Sequence, residues 1–343
     1  MTPSSAQADA FCQEILPAVS RTFALSIRLL PGALGAAVRD AYLLCRIADT
    51  IEDAPDLPAP EKAAMLDLLA AAFDDSAARV ALNDGIGVIT GDPAHVHLTQ
   101  NSGLVFEAYD QLPPGTRAHV RRWVQEMIVG MRKFVLAYPA GIRIQSVDEY
   151  KEYCYYVAGT VGYMLTDLWH EHSPSIGKRQ YEALRQRCRA FAEALQTVNI
   201  LKDVARDAEH ENSIYIPEQL LREHGSAHST ILAHDRVDQN HAALSALIQL
   251  AWHDLDQATS YLLSIPRRAL AIRLFCALPL LFAYATLRDL TRTPGAIARR
   301  EVVKISRAEV KSITVRSVLG VWSNRLMSRL VSRTRARPAA AES

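Results

Sequence analysis

Three carboxylates stand at helical spacing in Ala48-Asp49-Thr50-Ile51-Glu52-Asp53, and an amide followed by two carboxylates recurs every fourth residue at Asn199, Asp203 and Asp207. On a helix turning about 100° per residue, positions i, i+3 and i+4 share a face, so each set makes one oxygen-rich stripe. Acids this close repel one another, and no lysine or arginine follows the first set within a turn, so the cluster calls for a cation from elsewhere. Alone, the first set reads equally as a solvated acidic helix end, and the second as a charged helix face flanked by Lys202 and Arg206. If the two stripes face each other across a cavity, they form an oxygen-ligand site for a hard cation. Magnesium takes a few carboxylates, retained waters and phosphate oxygens, so Asp49, Glu52, Asp53, Asp203 and Asp207 are the candidate metal residues of a site that grips a diphosphate. The pairs His95/His97 and His170/His172 have i, i+2 spacing, off a common helix face, and do not point to zinc.

These stripes need long helices to hold them, and the sequence provides them. Apolar residues recur at helical spacing over 34–53, after Pro31-Gly32 and before the Pro-rich stretch 54–60. Further helices are expected over 61–73, 92–109, 116–134, 147–169, 178–207, 218–223 and 243–263, with a last core helix opening at Ile265-Pro266 and closing at 291–295. A Gly- and Asp-containing connection is expected near 83–91. No credible run alternates with period two and no internal repeat is evident. The expectation is one all-α catalytic domain over 1–310, followed by a basic tail over 311–343.

Composition narrows the class. The chain has 343 residues, 49% hydrophobic and 22% charged, with a net charge of +1, which gives no bulk attraction to nucleic acid. Cys12, Cys45, Cys154, Cys188 and Cys276 are scattered, odd in number and without ligand spacing, so a reduced, cytoplasmic setting is expected. The first ten residues lack the basic region and apolar run of a signal peptide. The longest apolar stretch, 269–287, is broken by Arg273 and Pro279 and reads as a buried helix.

Four ordered motifs resemble those of the squalene and phytoene synthases. Ser20-Arg21-Thr22-Phe23-Ala24, with Tyr42 and Arg46 leading into Asp49–Asp53, resembles the opening motifs. Tyr153-Cys154-Tyr155-Tyr156-Val157-Ala158-Gly159-Thr160-Val161-Gly162 resembles the central tyrosine motif. Asn199-Ile200-Leu201-Lys202-Asp203 through Asp207, then Tyr215-Ile216-Pro217, resembles the second aspartate motif. Phe275-Cys276-Ala277-Leu278-Pro279 and Val303-Lys304-Ile305 lean toward the squalene synthase members, with departures: Ser306 stands where an arginine is usual, Arg307 follows one place later, and Arg206 stands where an acid usually precedes Asp207.

The resemblance implies an isoprenoid-synthase helical bundle around a central cavity. It also implies magnesium-dependent head-to-head condensation of two farnesyl diphosphates through a cyclopropyl diphosphate, followed by reduction with NADPH. Metal contacts go to Asp49, Asp53, Asp203 and Asp207 with Glu52 in support, and diphosphate contacts to Arg21, Arg46, Lys202, Asn199 and Gln196. For Arg21, Arg46 and Lys202 the alternative is salt bridging to the acids. Tyr153 is placed in proton handling or cation stabilisation with Tyr42, Arg46 and Tyr156 nearby, and Phe275, Lys304 and Arg307 at the nicotinamide cofactor. A carbocation needs apolar and aromatic walls, which Phe23, Tyr42, Tyr153, Tyr156, Tyr163 and Phe275 supply, and Gly159 and Gly162 thin a helix where prenyl chains could lie.

Three classes of function follow: squalene synthase, a non-reductive synthase releasing a dehydrosqualene or phytoene-like polyene, and a non-catalytic assembly or lipid-binding relative. For the tail, Val315, Val318, Leu319, Trp322, Leu326 and Leu330 fall near one helical stripe among seven basic residues and no acid between 311 and 337. Two readings stand side by side. In one the tail lies on the anionic inner face of a membrane, in the other it packs back on the core.

Overall fold

The computed structural model describes residues 5–293 and 303–336. Helices form wherever apolar residues recur at three- and four-residue spacing. The chain opens with Ser5–Val19 (α1), Arg21–Ile27 (α2), Gly32–Glu52 (α3), Ala59–Ala71 (α4), Ser76–Gly85 (α5), Pro93–Gln100 (α6) and Ser102–Asp110 (α7). It continues with Pro114–Ala137 (α8), Val147–Cys154 (α9), Thr160–His172 (α10), Lys178–Arg185 (α11), Cys188–His210 (α12), Glu218–Glu223 (α13), Val237–Ser264 (α14) and Leu270–Arg292 (α15). Arg307–Gly320 (α16) and Asn324–Ala336 (α17) end the described chain. Among the described residues there is no strand, only an isolated bridge between Arg143 and Ile214.

The all-α expectation holds, and the differences are local. α5 lies where only a connection was expected near its end; Asp75 caps it by accepting from the Ala77 N–H at 2.8 Å. The expected helix over 92–109 breaks at Asn101, whose side-chain amide donates to the His97 carbonyl at 2.8 Å. The helix over 147–169 is interrupted by a π-helical turn, Tyr155–Gly159, and the helix over 178–207 divides into α11 and α12, the latter running on to His210. A π turn slips the register of everything after it and is invisible to a 3.6-residue period.

α12 packs against α10, α14 and α15, and α3 against α8 and α10, so the two acid-bearing helices belong to the central bundle. α15 is long and apolar enough to cross a membrane by composition, yet 78% of its apolar window is buried inside the protein. The division expected after residue 310 falls inside α16. Both α16 and α17 pack on α15, and Ile313, Met327, Leu330 and Val331 join the same core as the rest of the chain. Arg288 fastens this end: it pairs with Glu309 at 2.9 Å and donates to the Thr334 carbonyl at 3.0 Å.

Arg273 of α15 is fully buried. Its guanidinium donates to the carbonyls of Val321 at 2.7 Å and Ile265 at 2.6 Å and to Asn324 Oδ1 at 2.8 Å, joining the start of α15 to the α16–α17 turn. Arg273→Ala strands these acceptors in an apolar setting, and urea denaturation is expected to show a loss of about 3 kcal/mol or more.

A second polar cluster lies under α8, α10 and α11. Asp167, 3% exposed, accepts from Trp123 Nε1 at 2.8 Å and Tyr181 Oη at 2.7 Å, and pairs with Arg185 at 2.6 Å and His119 at 3.5 Å. Burial opposes its ionisation. The hydrogen bonds from His119, Trp123 and Tyr181, with the Arg185 charge, outweigh that and hold it at about 2. The hydrogen bond to Asp167 pushes His119 up against the burial that would lower it. The Asp167 contribution is present above its unfolded value, about 4, and fades as pH falls toward 2. The His119 contribution is full below about 6.5 and fades as pH rises through its raised folded value. Thermal melts of His119→Gln are therefore expected to fall well below those of the native chain at pH 5.5 and to approach them at pH 9.

Candidate active site

α3 carries Asp49 and Glu52, with Asp53 as its C-cap, and α12 carries Gln196, Asn199, Asp203 and Asp207. Both rows line one polar cavity of about 890 Å³ including its open mouth, together with Arg46, Tyr153, Lys202, Arg206, Glu211 and Tyr215. A second, mostly apolar cavity of about 940 Å³ is walled by Phe23, Ile27, Tyr42, Met127, Val161, Met164, Leu165, Phe191, Phe275 and Pro279, among others. Arg46, Asp49, Val157, Gln196 and Asn199 line both, so the acidic mouth opens into an apolar interior.

The carboxylates sit where charge is expensive. Burial, then the neighbouring Asp49 charge, pushes Glu52 up to about 8; burial with Glu211 and Asp203 pushes Asp207 to about 8; burial raises Asp49 as well. Asp53 is raised well above the carboxylate range by burial, Glu211 and Glu52. The chain supplies part of the compensation. Arg46 pairs with Asp49 at 3.2 Å, Lys202 with Asp203 at 3.1 Å, and Lys62 of α4 donates to the Glu52 carbonyl at 2.6 Å. The compensation is incomplete: Glu52 Oε1 and Arg46 Nε are buried with no hydrogen-bond partner. Among the described residues no three His, Cys, Asp or Glu side chains form a ready-made cation cage.

The aromatic residues divide. Tyr153 is buried, stacks on Tyr215 with ring centroids 4.9 Å apart, is hydrogen-bonded to it, and meets Phe134 edge-on at 5.1 Å. Burial and the Glu52 charge hold the Tyr153 phenol neutral. Tyr42 lies 5.7 Å from Phe23, accepts from Arg46 at 3.2 Å and lies under its guanidinium at 5.6 Å. Tyr156 lines neither cavity; its ring packs over Gly130 of α8, where an added Cβ would come within 2.0 Å. Tyr163 is likewise turned away, stacked on Trp123 at 4.9 Å.

Phe275 stands in the apolar wall, braced edge-on by Trp169 at 5.3 Å. Lys304 and Arg307 are exposed and line neither cavity, and Ser306 is engaged as the N-cap of α16, accepting from the Glu309 N–H at 3.1 Å. Arg21 opens α2, but its side chain lies outside the described residues.

The sequence profile of squalene/phytoene synthases matches residues 16–309. The chain belongs to the squalene/phytoene synthase family. Squalene synthase 1 of Arabidopsis thaliana is 27% identical over 279 residues, covering 81% of this chain and 64% of that protein. The squalene synthase of Schizosaccharomyces pombe is 26% identical over 320 residues, covering 90% of this chain and 64% of that protein. The chain thus spans just under two thirds of the length of these relatives. Among solved structures, a ligand complex of TcSQS superposes with a TM-score of 0.81 at 23% identity, covering 98% of this chain and 94% of that one. A dehydrosqualene synthase complex superposes at 0.53 with 19% identity, covering 97% and 96%. Both similarities establish the synthase bundle as the fold.

Within that bundle two wall residues escaped the sequence reading. Glu211 continues the row Asn199, Asp203, Asp207 at the same four-residue step, just past the expected helix end, so the signal was present. It lines the polar cavity and the smaller one behind it. Lys62 follows the Pro-rich turn with no local signal, and only the packing of α4 brings it to the acids. Gly162 keeps α10 close to α12: an added Cβ would lie 2.2 Å from the Cys188 carbonyl oxygen. Gly162→Ala gains about 1 kcal/mol of helix propensity but forces these backbones apart, costing about 1–3 kcal/mol or more. A net loss of stability in urea melts is expected, with impaired turnover because α12 carries the second acid row.

Proposed function

We propose that this chain is a squalene synthase, condensing two farnesyl diphosphates head to head and reducing the product with NADPH. The observation that carries the reading is the shared wall, where the acidic mouth and the apolar cavity meet at Arg46, Asp49, Val157, Gln196 and Asn199. A prenyl diphosphate has one end for each chamber. Relatives bearing the squalene synthase name match most of this chain, which supports the same reading.

Magnesium fits the donor set. Glu52 keeps a buried, unpartnered oxygen, hard oxygen donors face one another from α3 and α12, and magnesium prefers to complete such a set with water and phosphate oxygens rather than demand an all-protein cage. Asp49, Asp53, Asp203 and Asp207 would hold it, with Glu52 and Glu211 behind them. When bound, it neutralises the departing diphosphate and lowers the barrier to ionisation. Arg46, charged and pinned between Tyr42 and Asp49, orients the diphosphate, and Lys202, Gln196 and Asn199 supply donors beside it. Phe23, Tyr42, Phe191 and Phe275 exclude water from the allylic cation and present aromatic faces to it. Tyr153, kept neutral and bonded to Tyr215, offers a hydroxyl and a ring face at the junction, suited to handling the proton lost on cyclopropane closure.

The reductive half has a weaker footing in the residues. Phe275 fits beside a nicotinamide, but Lys304 and Arg307 line neither cavity and Ser306 is occupied as a helix cap, so these three do not form a grip for a cofactor phosphate. Those placements favour a second reading, a synthase that stops at dehydrosqualene or a phytoene-like polyene.

Incubation with farnesyl diphosphate and magnesium, with and without NADPH, separates the readings by mass spectrometry of the hydrocarbon. Squalene formed only with NADPH is expected. An NADPH-independent end product would move the assignment to the second reading, and no product under either condition would overturn both. Asp49→Asn and Asp203→Asn are each expected to cut turnover by at least about a hundredfold, the scale of losing one preorganised electrostatic contact, with the helical circular dichroism unchanged.

A further inference from the structure

Helix α16 is amphipathic the wrong way round. Its inward face carries Ile313, Ser317 and Gly320, with Glu309 buried against Arg288. Its outward stripe carries Val315, Val318, Leu319 and, in the following turn, Trp322, with exposures of 50%, 51%, 67% and 59%. Stripes of this kind normally face a core.

The patch is rigid. Arg273 holds the Val321 carbonyl, Val321 packs on Leu274 and Leu278, and Trp322 Nε1 donates to the Leu319 carbonyl at 2.8 Å. The indole thus has its polar group satisfied within the turn and its ring outside.

Charge says what could cover it. From 310 to 336 the chain has six lysines and arginines and no acid, and 257–288, which includes the start of α15 beneath the turn, has no acid either. Lys311 lies on the apolar stripe itself, Arg316 flanks it, and both are exposed. Exposed Arg267 and Arg268 stand beside Ile265 and Leu270, on the segment that Arg273 ties to the turn.

We infer that the α16–α17 turn docks this enzyme on an anionic lipid bilayer, inserting Val318, Leu319 and Trp322 at the headgroup boundary while Lys311 and Arg316 meet the lipid phosphates. An apolar wedge within a basic rim matches an anionic interface in both chemistry and layout. The stripe legible in the sequence is reassigned in the process: Leu330 belongs to the core, and the docking surface is the outward face of one folded helix and its turn.

The test uses the full chain and sucrose-loaded vesicles of phosphatidylcholine, alone or mixed with phosphatidylglycerol. The native protein is expected to sediment with the mixed vesicles and to be released by high salt. Leu319→Ser with Trp322→Ser is expected to weaken that partitioning by about tenfold or more. Lys311→Gln with Arg316→Gln is expected to weaken it by about fivefold per charge toward the anionic vesicles only. None of these residues touches the cavities, so unchanged thermal melts and unchanged turnover of detergent-dispersed substrate are the controls for folding. Native protein left in the supernatant with anionic vesicles would overturn the inference, as would undiminished partitioning of either double variant. So would a dimer in sedimentation velocity that Leu319→Ser with Trp322→Ser converts to monomer without any vesicle binding, which would make the patch a self-association surface.

Discussion

The structure depends on holding two rows of carboxylates face to face at the mouth of an apolar cavity. Two unit charges 4 Å apart interact by about 1 kcal/mol in water but about 4 kcal/mol at the effective dielectric near a protein surface, so burial turns a mild repulsion into a serious one. The fold answers with cations brought from three places: Arg46 one turn before Asp49, Lys202 beside Asp203, and Lys62 from α4. That compensation stops short, as the raised carboxyls and the unpartnered Glu52 oxygen show. The site is left short of positive charge, with hard carboxylate oxygens crowded at its mouth and one of them unpartnered.

The apolar chamber imposes the complementary constraint. Its walls must be large and aromatic, yet the helices that carry them must lie close enough to shut out water. Gly162 lets α10 approach the α12 backbone, Gly130 accommodates the Tyr156 ring against α8, and the π turn at Tyr155–Gly159 brings Val157 and Ala158 into the cavity wall while Tyr156 faces away. Aromatic side chains behind the wall then brace those in it, as Trp169 does Phe275 and Tyr261 does Phe191.

At the far end, two buried arginines do what an apolar core alone would not. Arg288 ties α15 to α16 and α17, and Arg273 ties its start to the turn between them. With its polar atoms so engaged, that turn can present Leu319 and Trp322 to the outside without loosening.

Local pattern was enough for the helical class, for the two acid rows and for the family, because spacing along one helix is a covalent fact. It also marked Tyr153, Arg46, Gln196 and Phe275, all of which reach a cavity. What it could not reach is whatever depends on the register between helices. Tyr156 follows Tyr153 at a three-residue step that would share its face on a regular helix, yet it lies in the π turn and packs over Gly130 instead; Lys304 lies in a basic motif yet is placed at the surface; Lys62 belongs to no motif and stands behind the acids. The same applies to the tail, where the sequence shows one apolar stripe and the packing of α17 on α15 splits it, Leu330 inward and Trp322 outward. Sequence determines which residues share a helix face. Only the tertiary structure decides what that face looks at, because that is set by the burial of all the other faces at once.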